Sequence, residues 1–184
     1  NEGAKVQVNV RNIEALTVNL YKVNLEAYWR KMNNIKGVEN LDLALIAPDK
    51  TWEYRVPDYQ KYKPLELAIE IPIEGPGVYA VQVGEEDLES TTLVVRSDLE
   101  AIIKTSRREV LVFAQDMRKG EPVPNARVLV SDGSQVILEG VTGTDGVYHH
   151  SAPPLPAGGE GGGTLKDTGQ VSAFVIKDGN VASD

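Results

Sequence analysis

The 184-residue chain has no cysteine, only two histidines, two phenylalanines and two methionines, and no apolar run long enough to cross a bilayer. Without cysteine there are no disulfides, thiol nucleophiles or thiolate zinc sites. That absence does not fix the compartment, because a secreted protein need not carry disulfides. Basic clusters are missing too. Residues 1–97 carry 11 Lys/Arg against 15 Asp/Glu, and residues 98–184 carry 8 against 12, so each half is −4 of the total −8. Nucleic-acid binding needs clustered Lys/Arg to displace counterions, so that partner class is excluded, and nothing favours insertion into a membrane. No Gly-x-Ser-x-Gly elbow is present, and Ser131 and Ser134 sit beside an Asp-Gly turn where short polar residues are expected. The chain begins without Met, lacks a signal peptide and ends in "NVASD", which reads as a segment of something larger.

What is present is alternation. Most runs switch between apolar and polar with period two and are punctuated by Gly, Pro, Asn and Asp, the signature of strands. The first half offers 4–10, 16–23, 41–47, 51–56, 65–71, 78–83 and 90–96. In 16–23, Leu16, Val18 and Leu20 are expected on a core, with Thr17, Asn19 and Tyr21 toward water. The second half offers 100–105, 109–116, 126–132, 135–142, 147–152 and 171–177, then "NVASD". Asp132-Gly133, Asp145-Gly146 and Asp178-Gly179 suit the positive φ of tight hairpin turns. The prolines of "KGEPVPNA" (119–126) cannot donate to a ladder and belong in a connection.

One stretch breaks the pattern. Leu25, Tyr28, Trp29 and Met32 fall on one face of a helix near 25–33, with Asn24 as N-cap and Gly37 as the stop. A core-facing helix closing one end of a sandwich is favoured over a partner-docking stripe. Residues 153–169, "PPLPAGGEGGGTLKDTG", read as a Gly-rich surface loop; without a following Lys-Ser/Thr and a strand–loop–helix context they make no phosphate cradle. The expected fold is all-β: two tandem antiparallel β-sandwiches, 1–97 with the short helix and 98–184 with the loop, divided near Ser97-Asp98.

Candidate chemistry is sparse. Neighbours on a strand face opposite sides, so His149 and His150 cannot both enter one site; if Val147 faces in, so does His149. One His plus Asp145 falls short of a zinc ligand set. Glu85, Glu86, Asp87 and Glu89 lack the ordered spacing of a calcium loop and read as a solvated turn. No carboxylate pair is singled out for glycosidase work. Trp29, Trp52, Tyr54, Tyr59 and Tyr62 could line a carbohydrate face, but they spread over helix, strand and loop, so core packing is favoured. No catalytic, cofactor-binding or metal-ligating residue is assigned, and no cofactor.

A longer pattern crosses the boundary: Pro76-Gly77-Val78-Tyr79, then Asp98-Leu99, then Asp116 to Val128 as "DMRKGEPVPNARV", then Thr142 to Gly146 as "TGTDG", then "AFVIKDGNVA" (173–182). In this order the stretches, with "NLDLALIAPDKTWEYRVPDY" upstream, resemble the macroglobulin-like domains in the N-terminal region of bacterial alpha-2-macroglobulins. The resemblance implies a non-enzymatic scaffold role in a broad-spectrum protease-trapping protein outside the cytoplasm: periplasm, cell envelope or secreted. Its partners would be the other domains of the same chain and the trapped proteases. The family's Cys-Gly-Glu-Gln thioester cannot lie here, since there is no cysteine. The alternative reading is a pair of surface adhesion or carbohydrate-binding modules.

Overall fold

The computed structural model describes residues 3–33, 43, 46–85, 88–106, 108–151 and 171–184. The expected strand at 41–47, the stop at Gly37, the acids Glu86 and Asp87 and the loop 153–169 lie wholly or mostly outside them. By its contacts the chain forms two compact units, Asn1–Val23 with Gly37–Val95, and Asn24–Lys36 with Arg96–Asp184.

The first unit contains β1 (Ala4–Arg11), β2 (Ala15–Val23), β3 (Lys50–Arg55), β4 (Pro64–Ile71), β5 (Gly77–Glu85) and β6 (Leu88–Arg96). Antiparallel β1 and β4 pair from Ala4↔Ile71 to Arg11↔Pro64, and a second sheet has the order β3-β2-β5-β6. Alternation explains the core. Val10, Leu67, Ile69 and Ile71 of the first sheet are buried with Leu16, Val18, Leu20, Tyr79, Val81 and Val83 of the second. Tyr21 departs from expectation: it faces away from that core yet is buried, packed with Leu43, Ala80 and Leu93 on the other face of the sheet. Its hydroxyl reaches Gln82 Oε1 at 3.2 Å, so the polar end is satisfied while the ring is covered. The Pro76-Gly77-x-Tyr79 pattern also has a physical use: Tyr79 Oη donates to the Glu74 carbonyl at 2.9 Å and holds the turn that precedes its own strand.

The second unit contains α1 (Leu25–Met32), β7 (Leu99–Thr105), β8 (Glu109–Asp116), β9 (Glu121–Pro122), β10 (Arg127–Ser131), β11 (Val136–Val141), β12 (Val147–Ser151), β13 (Ser172–Lys177) and β14 (Asn180–Ser183). One sheet runs β11-β10-β13-β14, and the other β12-β8-β7 with β9 on β8. Val110, Val112 and Ala114 of one sheet meet Val128, Val130, Ala173 and Val175 of the other, all fully buried. Pro122, expected in a connection, lies in the two-residue edge strand β9. Asp178 and Gly179, at φ +48° and +82°, form the tight hairpin of β13 and β14, with both residues in the left-handed region such a turn needs.

The helix differs most from its expectation. Asn24 is indeed the N-cap, its side chain accepting from the Ala27 N–H at 3.1 Å. The helix stops at Asn33, which takes the left-handed conformation (φ +57°) and donates its N–H to the Trp29 carbonyl. Only Leu25 and Trp29 of the expected stripe are buried; Met32 is largely exposed. Rather than completing the first sandwich, α1 packs with the second unit. The reason is Phe174: its side chain lies on the outer face of the β11-β10-β13-β14 sheet, and its ring stacks on Trp29 with centroids 5.6 Å apart.

Candidate functional site

The segment 142–151 holds both histidines, and its first half is architectural. Thr142, 1% exposed, accepts the Ala126 N–H at 2.9 Å and donates to the Val123 carbonyl at 2.7 Å. Asp145 Oδ1 accepts the Val147 N–H at 3.1 Å. Gly146 has φ +74°, and a Cβ there would stand 2.6 Å from the Ala114 carbonyl oxygen and 2.8 Å from Pro122 Cβ. Upstream, Asp116 Oδ1 accepts the Arg118 and Lys119 N–H groups, which holds its carboxyl below the ordinary range, and Gly120 turns the chain at φ +68°. The two patterns 116–128 and 142–146 are therefore one device: Pro122 fits against Gly146, and Ala126 bonds to Thr142. The segment 142–146 is not a hairpin, because β11 and β12 lie in different sheets; the turn carries the chain across the sandwich.

The second half carries the ionisable groups. Tyr148 and His150 pair with Val112 and Val110, two core residues, so they face inward, and His149 faces out. The split of His149 from His150 follows alternation, with the phase set by Tyr148. Its ring covers Gly140, where a Cβ would stand within 2.2 Å of the ring, and burial pushes the phenol pKa up. On the outer face His149 meets Ser151 and Glu109, an acid, a base and a hydroxyl together. The geometry does not make a nucleophile. Ser151 Oγ (3.4 Å) and Glu109 Oε1 (3.9 Å) approach the same ring nitrogen, Nε2. A triad needs the hydroxyl and the acid on opposite nitrogens, so that the ring can take a proton while the acid orients it. With His149 and Glu109 side chains 52% and 59% exposed, water competes for each contact.

The remaining sequence candidates disperse. Among the described residues no group of three or more His, Asp or Glu is placed to hold a metal. Glu89 accepts from Gln82 Nε2 at 2.9 Å on the sheet surface. Trp52, Tyr54 and Tyr59 pack against the first core, Trp29 is fully buried, and Tyr62 is exposed beneath the Lys61 ammonium. They form no aromatic platform. A groove of about 390 Å³ in the first unit runs between β1 (Lys5 to Asn9) and β6, floored by Val81 and Val83. Its rim is mostly uncharged, and no acid lines it.

Sequence reasoning missed one surface, the docking face of α1. Arg127 places Nη1 and Nη2 3.2 and 2.9 Å from the Glu26 carboxylate. Arg30 bonds Glu26 through Nε at 3.0 Å and Glu139 through both terminal nitrogens. The four charges alternate in sign across helix and sheet. The Arg30 hydrogen bond holds the Glu139 carboxyl below its ordinary range, and Glu139 in turn raises Arg30. A signal was present in the unbroken apolar runs Val128-Leu129-Val130 and Ala173-Phe174-Val175, which mark strands buried on both faces.

No family model matches the chain. Among solved structures it is similar to native alpha-2-macroglobulin from Escherichia coli spanning domains NIE-MG1, at 14% identity and TM-score 0.64, over 97% of this chain and 86% of that one. It is similar also to the same protein spanning MG0-NIE-MG1, at 15% identity and TM-score 0.64, over 98% of this chain and 57% of the other. Among the described residues no helix is long and apolar enough to cross a membrane. The chain thus has the macroglobulin-like β-sandwich fold of the NIE-MG1 region of a bacterial alpha-2-macroglobulin.

Proposed function

We propose that this chain is a structural segment of a macroglobulin-type protease trap that works outside the cytoplasm, and that it is not itself an enzyme. One observation carries the reading: the likeness to the NIE-MG1 region extends over 97% of the chain, not over one sandwich alone. The chemistry of the residues agrees with it. The motif residues Asp116, Gly120, Thr142 and Gly146 are engaged in holding turns, and the Ser151–His149–Glu109 group lacks the geometry to activate a hydroxyl. In this reading the sandwiches stay folded while other domains of the same chain move. A protease cuts a bait segment elsewhere, and the rearranged domains cage it.

The test uses the parent protein that contains this segment. It is incubated with proteases of several catalytic classes, and each is then offered a small chromogenic peptide and a large protein substrate. A trap leaves cleavage of the peptide intact and abolishes cleavage of the protein. Equal loss of both activities, or of neither, would refute the proposal. Saturable glycan binding by the segment, lost on Trp52→Ala with the fold intact, would favour a carbohydrate-binding module.

A further inference from the structure

We propose that α1 is a detachable strap: it opens as a unit from the outer face of the β11-β10-β13-β14 sheet while the sandwich beneath stays folded, and its opening uncovers Phe174. Three observations carry this beyond the scaffold reading. First, among the described residues the core between the two sheets of the second unit draws on no residue of the helix. The buried residues of that cluster lie on the facing sides of the two sheets. Leu129 and Phe174 are directly paired across β10 and β13 on the opposite face, outside that core. Phe174, stacked on Trp29, is 0% exposed.

Second, α1 has eight residues, too few to hold a helix alone in water, so leaving the sheet and unwinding are one event. Such local openings lie below global unfolding in free energy when the element contributes little to the main core. Third, the docking is a mixture of strong and weak parts. The Trp29–Phe174 stack and the burial of Leu25 hold the helix down. Against them, Trp29 Nε1 and Asn33 Oδ1 are buried with no hydrogen-bond partner among the described residues, which costs docking free energy. The ties at the rim, Glu26–Arg127 and Arg30–Glu139, are solvent-facing ion pairs of the kind that contribute little and weaken in salt.

The test compares amide hydrogen exchange of Trp29 to Met32 with that of Val128 and Val175, in the wild-type chain and in Glu139→Ala. The helix amides should exchange faster than the sheet amides in the wild type. Glu139→Ala should speed the helix amides about two- to fivefold while leaving the sheet amides unchanged. A Trp52→Phe variant, in which Trp29 is the sole tryptophan, gives a second readout. Its emission should shift to the red at lower urea than the exposure of the Val128 and Val175 amides. Exchange of helix and sheet at one common rate, both accelerated together by Glu139→Ala, would overturn the proposal and make α1 an integral part of the sandwich.

Discussion

Replacing Thr142 with valine removes one oxygen and keeps the shape. Thr142 Oγ1 is the acceptor for the Ala126 N–H and the donor to the Val123 carbonyl, at a site 1% exposed. In Thr142→Val the Ala126 N–H is stranded in the interior, a loss of about 1–3 kcal/mol, and the Val123 carbonyl loses its donor, about 0.5–1.5 kcal/mol more. The methyl that replaces the hydroxyl returns less than about 1 kcal/mol of burial. The net expectation is a destabilisation of about 1.5–3 kcal/mol, confined to the second unit. Thr142→Ser keeps both bonds and loses one methyl, about 0.5–1.5 kcal/mol. Exchange of the protected Val128 and Val175 amides reads these differences. Thr142→Val should accelerate it roughly 10- to 150-fold, and Thr142→Ser by less. If Thr142→Val were as stable as wild type, or more stable than Thr142→Ser, the hydroxyl would not be holding 123–126 to the turn.

Other outcomes follow from the same geometry. Gly146→Ala should destabilise by about 2 kcal/mol or more, since the added carbon meets the Ala114 carbonyl and Pro122 at a positive φ; a thermal melt checks it. Gly140→Ala should lower the melting temperature, and by less in a Tyr148→Ala background than in the wild type, because the obstructing atoms belong to the Tyr148 ring. Docking of α1 should weaken in acid. The Glu139 carboxyl is held below its ordinary value, so its contribution is full above the unfolded value near 4.5 and is lost as pH falls through the lower folded value. In the Trp52→Phe variant the urea midpoint of the Trp29 emission shift should stay constant from pH 7 to about pH 5 and fall only below it; a fall already complete at pH 6 would contradict this sign.

Much of the fold was legible because alternation is a local property. The strand runs of the first and second halves match β1 to β8 and β10 to β14 within two residues, except at 41–47, most of which lies outside the described residues. What alternation does not reveal is which surface meets a given face. Tyr21 sits on the face opposite the core, and the packing of Leu43 and Leu93 on that face buries it. The stripe Leu25–Trp29 announced a helix, but its partner Phe174 lies 145 residues further along the chain, and no local rule links them. The turn at Asp145-Gly146 has the composition of a hairpin; its path between sheets brings Gly146 against Ala114 and Pro122, which are remote in sequence. For the histidines the reverse holds. Neighbouring positions on one strand are forced apart by the pleat, so their separation was readable from sequence, while the proximity of Glu109 and Ser151 to His149 came from cross-strand register.

The central claim is that this segment acts through its fold and not through a chemical site. The direct measurement is protease trapping by the parent protein carrying, in turn, His149→Ala/Ser151→Ala and Thr142→Val. The account predicts that the first variant traps as wild type does, and that the second loses trapping in step with the stability of the second unit. Loss of trapping in the His149→Ala/Ser151→Ala protein with its fold and melting temperature unchanged would contradict it.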